Sequence, residues 1–186
     1  MPDTSQAETA ASRAELVTQL RRLEQELQEV QGRLLAMGSG TLPGIHLVIE
    51  AAGRRALLSS ARVSEVVRLV ATTPLAGAPA QVRGTFVFRG TPVIAVDLRK
   101  ILGARDDPGL DAQIVILAGT PAVGLVVDYV PRLLENPKLY EGDLVAGMPE
   151  GWRSSRLAAG LCLDGEEVLP VLDPSPIQAE LAGRPA

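Results

Sequence analysis

The chain has 186 residues, 46% of them apolar and 22% charged, which is enough for one ordinary domain with a real core plus an appendage. Aromatic residues make up only 3%, so that core must be built from Val, Leu, Ile and Ala. A formal net charge of −4 argues against a general nucleic-acid binder, which needs a basic face for phosphate.

The amino terminus is polar and lacks the basic-then-apolar pattern of a signal peptide; residues 1–11 read as a disordered tail. Residues 12–37 read as a coiled-coil helix. Leu16, Leu20, Leu23, Leu27, Val30, Leu34 and Met37 are spaced 4, 3, 4, 3, 4 and 3, an unbroken a/d heptad seam. Arg21, Arg22, Glu24, Gln25, Glu26, Gln28 and Glu29 between them are good helix formers that keep the other faces wet. Ser12 with Glu15 three residues on forms a capping-box start. Gly38 to Pro43 stops the helix and opens a linker, residues 38–43. So narrow a stripe suits pairing with another helix, by self-association or with a partner, although docking on the chain's own body is the other reading.

From Ile45 the period changes from helical to strand-like. Ile45–Ala51 and Ala56–Ser59 flank an Ala52-Gly53 turn, and Val63–Val70 is another β-branched run. Three hairpins follow: Phe86–Phe88 with Val93–Val96 about Arg89-Gly90-Thr91-Pro92, Ile114–Leu117 with Val123–Val127 about Ala118–Ala122, and Leu161–Leu163 with Val168–Val171 about Asp164-Gly165. Short helices are predicted over Asp97–Leu102 and Pro176–Leu181, with Asp97 as a cap. Residues 131–156, carrying Pro131, Pro137, Gly142, Gly147, Pro149 and Gly151, read as a long irregular link that holds the lone Trp152.

These pieces repeat. Phe86–Val96 can be laid over Leu161–Val171 without a gap, each copy being strand, Gly turn and strand, then a short helix. Ile45–Val63 and Ile114–Val130 match more loosely. The reading is mainly β: two packed small antiparallel five-stranded barrels, SH3-like, spanning residues 44–182, with 183–186 as a tail. Closing each sheet removes its exposed edges.

Catalytic signals are lacking. The only histidine, His46, and the only cysteine, Cys162, both sit in apolar strand-like runs, and a single cysteine allows no intrachain disulfide. There is no zinc-ligand spacing, no phosphate-binding glycine loop and no nucleophile elbow. Glu135, Glu141 and Asp143 lie in a polar connection, and nothing in the sequence places them around a common cleft. The longest apolar run, Ile114–Val127, is interrupted by Gly119, Thr120, Pro121 and Gly124 and is shorter than the ~20 residues a spanning helix needs. The expectation is a cytoplasmic protein that is not an enzyme, has no catalytic residues, uses no cofactor or metal, and does not insert in a membrane.

The stretch Gly84–Gly103, reading Gly-Thr-Phe-Val-Phe-Arg-Gly-Thr-Pro-Val-Ile-Ala-Val-Asp-Leu-Arg-Lys-Ile-Leu-Gly, resembles the core signature of CheW-like chemotaxis coupling proteins. Val87 and Phe88 stand where the family has Asn and Leu, while Arg89 and Gly90 keep the turn. Val63-Ser-Glu-Val66, the stretch from Pro74 to Gly84, and Gly124-Leu-Val-Val-Asp-Tyr-Val130 resemble its other signatures in the right order. The resemblance implies a double barrel that couples the cytoplasmic tip of a chemoreceptor to the regulatory domain of a CheA-type histidine kinase. Such a protein is membrane-associated only through receptor arrays. By resemblance the partner-binding residues are Glu65, Arg89, Gly84, Val63, Val82 and Val130. An ordinary backbone turn is the alternative for Gly84, and core packing is the alternative for the valines. The amino-terminal coiled coil lies outside the usual family pattern, so a CheW-like scaffold for a different signalling or motility complex, recruited through that helix, is the alternative function.

Overall fold

The computed structural model describes residues 4–37 and 40–182. Helix α1 runs over Thr4–Met37. It begins well before the expected cap, because Ala7, Glu8, Ala10 and Ala11 are themselves good helix formers and no Pro or Gly lies between Thr4 and Ser12. Met1 to Asp3 and residues 183–186 of the expected tails lie outside the described residues.

Among the described residues the body contains eleven strands: β1 Ile45–Ala51, β2 Arg54–Ser59, β3 Val63–Arg68, β4 Val82–Phe88, β5 Thr91–Asp97, β6 Gln113–Leu117, β7 Val123–Val127, β8 Tyr129–Glu135, β9 Lys138–Leu139, β10 Ala158–Asp164 and β11 Glu167–Leu172. Short helices α2 Leu98–Ile101, α3 Leu144–Gly147 and α4 Ser175–Ala182 complete it. One sheet has six strands in the order β8-β1-β2-β11-β10-β9; the other has five in the order β3-β6-β7-β5-β4. The expectation of five and five antiparallel strands is corrected twice: β9, whose fully buried Leu139 pairs with Cys162, adds a sixth strand, and β2–β11 and β5–β7 pair in parallel because they join one hairpin to the next.

The duplication is visible in these orders. In one sheet the β1–β2 hairpin lies beside the β10–β11 hairpin, joined by parallel β2 and β11; in the other, β6–β7 lies beside β4–β5, joined by parallel β7 and β5. Each repeat leaves its first hairpin in one sheet and sends its later strands to the other. The two halves of the sequence are therefore interleaved.

Both sheets curl. Beyond β3 the chain pairs with the far edge of its own sheet, Thr73 and Thr85 exchanging two backbone hydrogen bonds of 2.8 Å. In the six-stranded sheet, edges β8 and β9 are joined by only Asn136 and Pro137. Residues 40–42 of the expected linker are tied down there. Leu42 N–H donates to the Pro137 carbonyl at 2.8 Å, Leu139 N–H donates to Gly40 at 2.9 Å, and the Leu42 side chain is buried.

Three apolar clusters follow from the curl. Val48, Leu57, Leu139, Cys162 and Leu169 fill one sheet's concave side, and Ala95, Ile114, Ile116 and Val126 fill the other's. Leu47, Ile49, Leu58, Val96, Leu98, Val115, Leu125, Val127, Leu172 and Leu181 form the shared core between the sheets. Strands buried on both faces read as continuous apolar runs, which is why alternation is weak in this sequence. Trp152 is buried in the shared core.

Residues 131–156 are not one irregular link, since β8 and β9 occupy their first part. Pro131 is tolerated because β8 is an edge strand and Pro131 falls within its register shift against β1, between Tyr129 and Arg132, so no ladder hydrogen bond is asked of it. Asp97 caps α2, accepting a hydrogen bond from Lys100 N–H at 3.3 Å, with Arg83 Nη1 3.2 Å away.

A candidate protein-binding groove between the sheets

The strands that cross between the sheets build a groove. β3 follows β2 directly and crosses to the edge of the five-stranded sheet; β8 follows β7 and crosses to the edge of the six-stranded one. Between them lies a depression of 540 Å³ lined by Val63, Glu65 and Val66 from β3, Val130 and Leu133 from β8, and Leu47, Ser60 and Gln113. Gln113 Oε1 accepts a hydrogen bond from Val130 N–H at 2.8 Å, which fixes β8 against the neighbouring sheet. Five of these eight side chains are aliphatic, with polar groups at the rim.

Glu65 faces Arg89 across the curl, Arg89 Nη2 lying 2.9 Å from Glu65 Oε2 and 3.2 Å from Oε1. Arg89 sits in the β4–β5 turn with φ of 48°, followed by Gly90 with φ of 80°, the paired positive angles that a two-residue hairpin needs. Its guanidinium also lies 5.1 Å from the centroid of the Phe88 ring. The Arg89 side chain is 75% exposed, so the pair itself adds little to stability and the cation remains presentable to a partner.

Of the six residues singled out from sequence, the structure brings Val63, Glu65 and Val130 together, with Arg89 attached through its ion pair. Val82 lies elsewhere, in a groove of 620 Å³ between β4, β5 and α4, with Val96, Ile101, Leu157, Ile177 and Leu181. Gly84 is buried under the strand pairing at Thr73. Its φ is 137°, and a Cβ there would lie 2.7 Å from the Thr73 carbonyl carbon and closer still to the oxygen. Sequence reasoning missed Leu133, Leu47 and Gln113. Leu133 was hidden because Pro131 made its strand look like loop; Leu47 and Gln113 carry no local signal.

Groups with chemical potential sit away from the groove. Burial pushes the Cys162 thiol up to about 12, which leaves it protonated and unreactive. His46 is buried under α1, and its Nδ1–H donates to the Gly44 carbonyl at 3.2 Å. Burial lowers its pKa below the ordinary value, partly opposed by that hydrogen bond. No group of three or more His, Cys, Asp or Glu among the described residues could hold a metal ion, and no described helix is long and apolar enough to cross a membrane.

The heptad stripe expected to form a coiled-coil seam splits. Leu16, Leu20, Leu23, Leu27 and Val30 are 42–62% exposed, whereas Leu34 packs partly against the cluster inside the six-stranded sheet. The helix docks on the body through a neighbouring stripe, Gln28, Gln31 and Leu35. Arg62 Nη1 donates to Gln28 Oε1 at 2.7 Å, Gln31 Nε2 donates to the Pro43 carbonyl at 3.0 Å, and Leu35 is buried over Gly160.

Comparisons with known proteins agree with this architecture. The family model of the CheW-like domain matches residues 46–181. The crystal structure of scaffolding protein TtCheW from Thermoanaerobacter tengcongensis is similar with a TM-score of 0.58 and 22% identity, over 70% of this chain and 84% of that one. No curated protein matches the chain significantly.

Proposed function

The chain belongs to the CheW-like domain family, and from that membership we propose that it is a non-catalytic adaptor coupling chemoreceptors to a CheA-type histidine kinase in the cytoplasm. The observation that carries the reading is the groove of Val63, Val66, Val130 and Leu133 between the crossing strands, with the Glu65–Arg89 pair at its edge. An apolar floor between two strands suits one face of an amphipathic helix, whose apolar anchors supply affinity while a few charges fix orientation. The helical tip of a receptor presents that chemistry. Glu65 and Arg89 offer one charge of each sign for orientation, and the exposed end of the five-stranded sheet near Val87 offers a separate surface for the kinase.

The test is capture of a receptor tip and of a CheA regulatory domain by the full chain. An anchor in such a groove is worth about 2 kcal/mol, so Leu133→Asp is expected to weaken receptor capture roughly 30-fold. Arg89→Glu is expected to weaken partner binding while leaving the fold intact. Full binding by folded Arg89→Glu and Leu133→Asp proteins would overturn the groove assignment. Failure of the wild-type chain to capture either partner would overturn the coupling role and leave a CheW-like scaffold in another pathway.

A further inference from the structure

We infer that α1 pairs with α1 of a second copy of this chain in a parallel two-stranded coiled coil. The inference starts from the two stripes on this helix. The body grips it through Gln28, Gln31 and Leu35, leaving the heptad stripe from Leu16 to Val30 facing away. Gly160 makes that docking close, since a Cβ there would lie 2.7 Å from Leu35 Cδ2. Docking on the body and helix pairing are therefore not alternatives, because each uses its own face.

Residues 13–27 of the helix are exposed on nearly every side. At about 1.5 Å per residue, this is a rod of more than 20 Å beyond the docked end. A helix in that position is marginal by itself and is stabilised by burying its apolar stripe. Leu16, Leu20, Leu23, Leu27 and Val30 are each 42–62% exposed and together present on the order of 500 Å² per chain, or about 1,000 Å² for a pair, the threshold for a specific interface. A strict a/d repeat is the pattern that meshes with a copy of itself in register.

Flanking charges choose the orientation. In heptad terms Leu20, Leu27 and Leu34 are a positions, and Leu16, Leu23, Val30 and Met37 are d positions. Gln19 and Glu26 then fall at g, and Glu24 and Gln31 at e. A parallel pair sets Gln19 beside Glu24 of the second copy, and no like charges face each other across the seam. The antiparallel pairing that stacks the same leucines sets Glu24 beside Glu24 and Glu26 beside Glu26.

The test uses the full chain. Sedimentation between about 1 and 200 μM, the range where so short a seam should titrate, is expected to show the mass rising from 19.6 kDa toward twice that value. Leu20→Glu combined with Leu27→Glu, at positions exposed in the single chain, is expected to abolish the rise with the body's melting temperature unchanged. Leu16→Cys is expected to form an interchain disulfide on mild oxidation, because residue 16 meets its own copy only in the parallel pair, and the native Cys162 is buried. A constant single-chain mass, a mass of three chains, a doubled mass that survives the double substitution, or a doubled mass without Leu16→Cys cross-linking would each overturn the inference.

Discussion

Gly84→Ala separates a backbone requirement from a contact role at a position that sequence left open between the two. Residue 84 has φ of 137°, a region that costs a residue bearing a Cβ about 1–3 kcal/mol. The methyl would also press on the Thr73 carbonyl, and relief means parting Thr73 from Thr85. That loses two backbone hydrogen bonds of 2.8 Å, each worth roughly 1 kcal/mol net. Removing a glycine from the unfolded chain returns about 0.4–1 kcal/mol. The net expectation is a loss of about 2–4.6 kcal/mol. For a body of some 140 residues the unfolding entropy is near 0.3 kcal/mol/K, so the melting temperature should fall by roughly 7–15 °C. Thermal unfolding followed by circular dichroism measures this, with Gly109→Ala as the control because a Cβ there meets nothing within 4 Å. An alanine variant that melts with wild type yet no longer captures partners would refute the backbone argument and make Gly84 a contact.

Three further outcomes follow from the same structure. Burial holds His46 neutral with its pKa below 6.5. The unfolded chain therefore takes up that proton first, and stability present above about pH 6.5 is lost at about 1.4 kcal/mol per pH unit as pH falls toward the depressed native value. Urea midpoints across pH 5–7.5 should show this loss, and His46→Asn should flatten it; an unchanged slope in the variant assigns the loss to other groups. Asp97→Ala removes the α2 cap and the buried partner of Arg83, so a loss of roughly 1–3 kcal/mol in urea unfolding is expected; an unchanged midpoint would show that neither contact matters. Because the repeats interleave, residues 1–107 and 108–186 expressed separately should each lack strand dichroism and regain it on mixing. A half that melts cooperatively alone would contradict that.

Much of the fold was legible because its signals are local. The Arg89-Gly90 and Asp164-Gly165 turns, the apolar strands beside them and the Asp97 cap are fixed by residues a few positions apart. The seam of α1 was legible in the same way, but not which face would dock. Gln28, Gln31 and Leu35 bind the body because Arg62, Pro43 and Gly160 arrive from far along the chain. β8 was obscured by Pro131, whose tolerance depends on lying at a sheet edge, a fact of topology. Val63 and Glu65 could be named through the family resemblance of Val63-Ser-Glu-Val66, a signal that Leu133, their neighbour across the groove, does not carry.

The groove and the duplication have a common cause. Ile45–Val63 and Ile114–Val130 are the loosely matching parts of the two repeats, and each ends on the strand that leaves one sheet for the other. Val63 and Val130 thus hold corresponding places in the repeats and meet in one groove. Had each repeat closed on itself, β3 and β8 would have belonged to separate bodies and the cleft between them would have depended on a docked interface. Crossing makes each strand the edge of the opposite sheet, so the shared core of Leu47, Val66, Val115 and Val130 fixes the groove's width. Changing that width requires the shared core to yield. A groove of this construction is held as a rigid mould, and on the proposed function the choice among helices falls to the charges at its edge, Glu65 and the exposed Arg89.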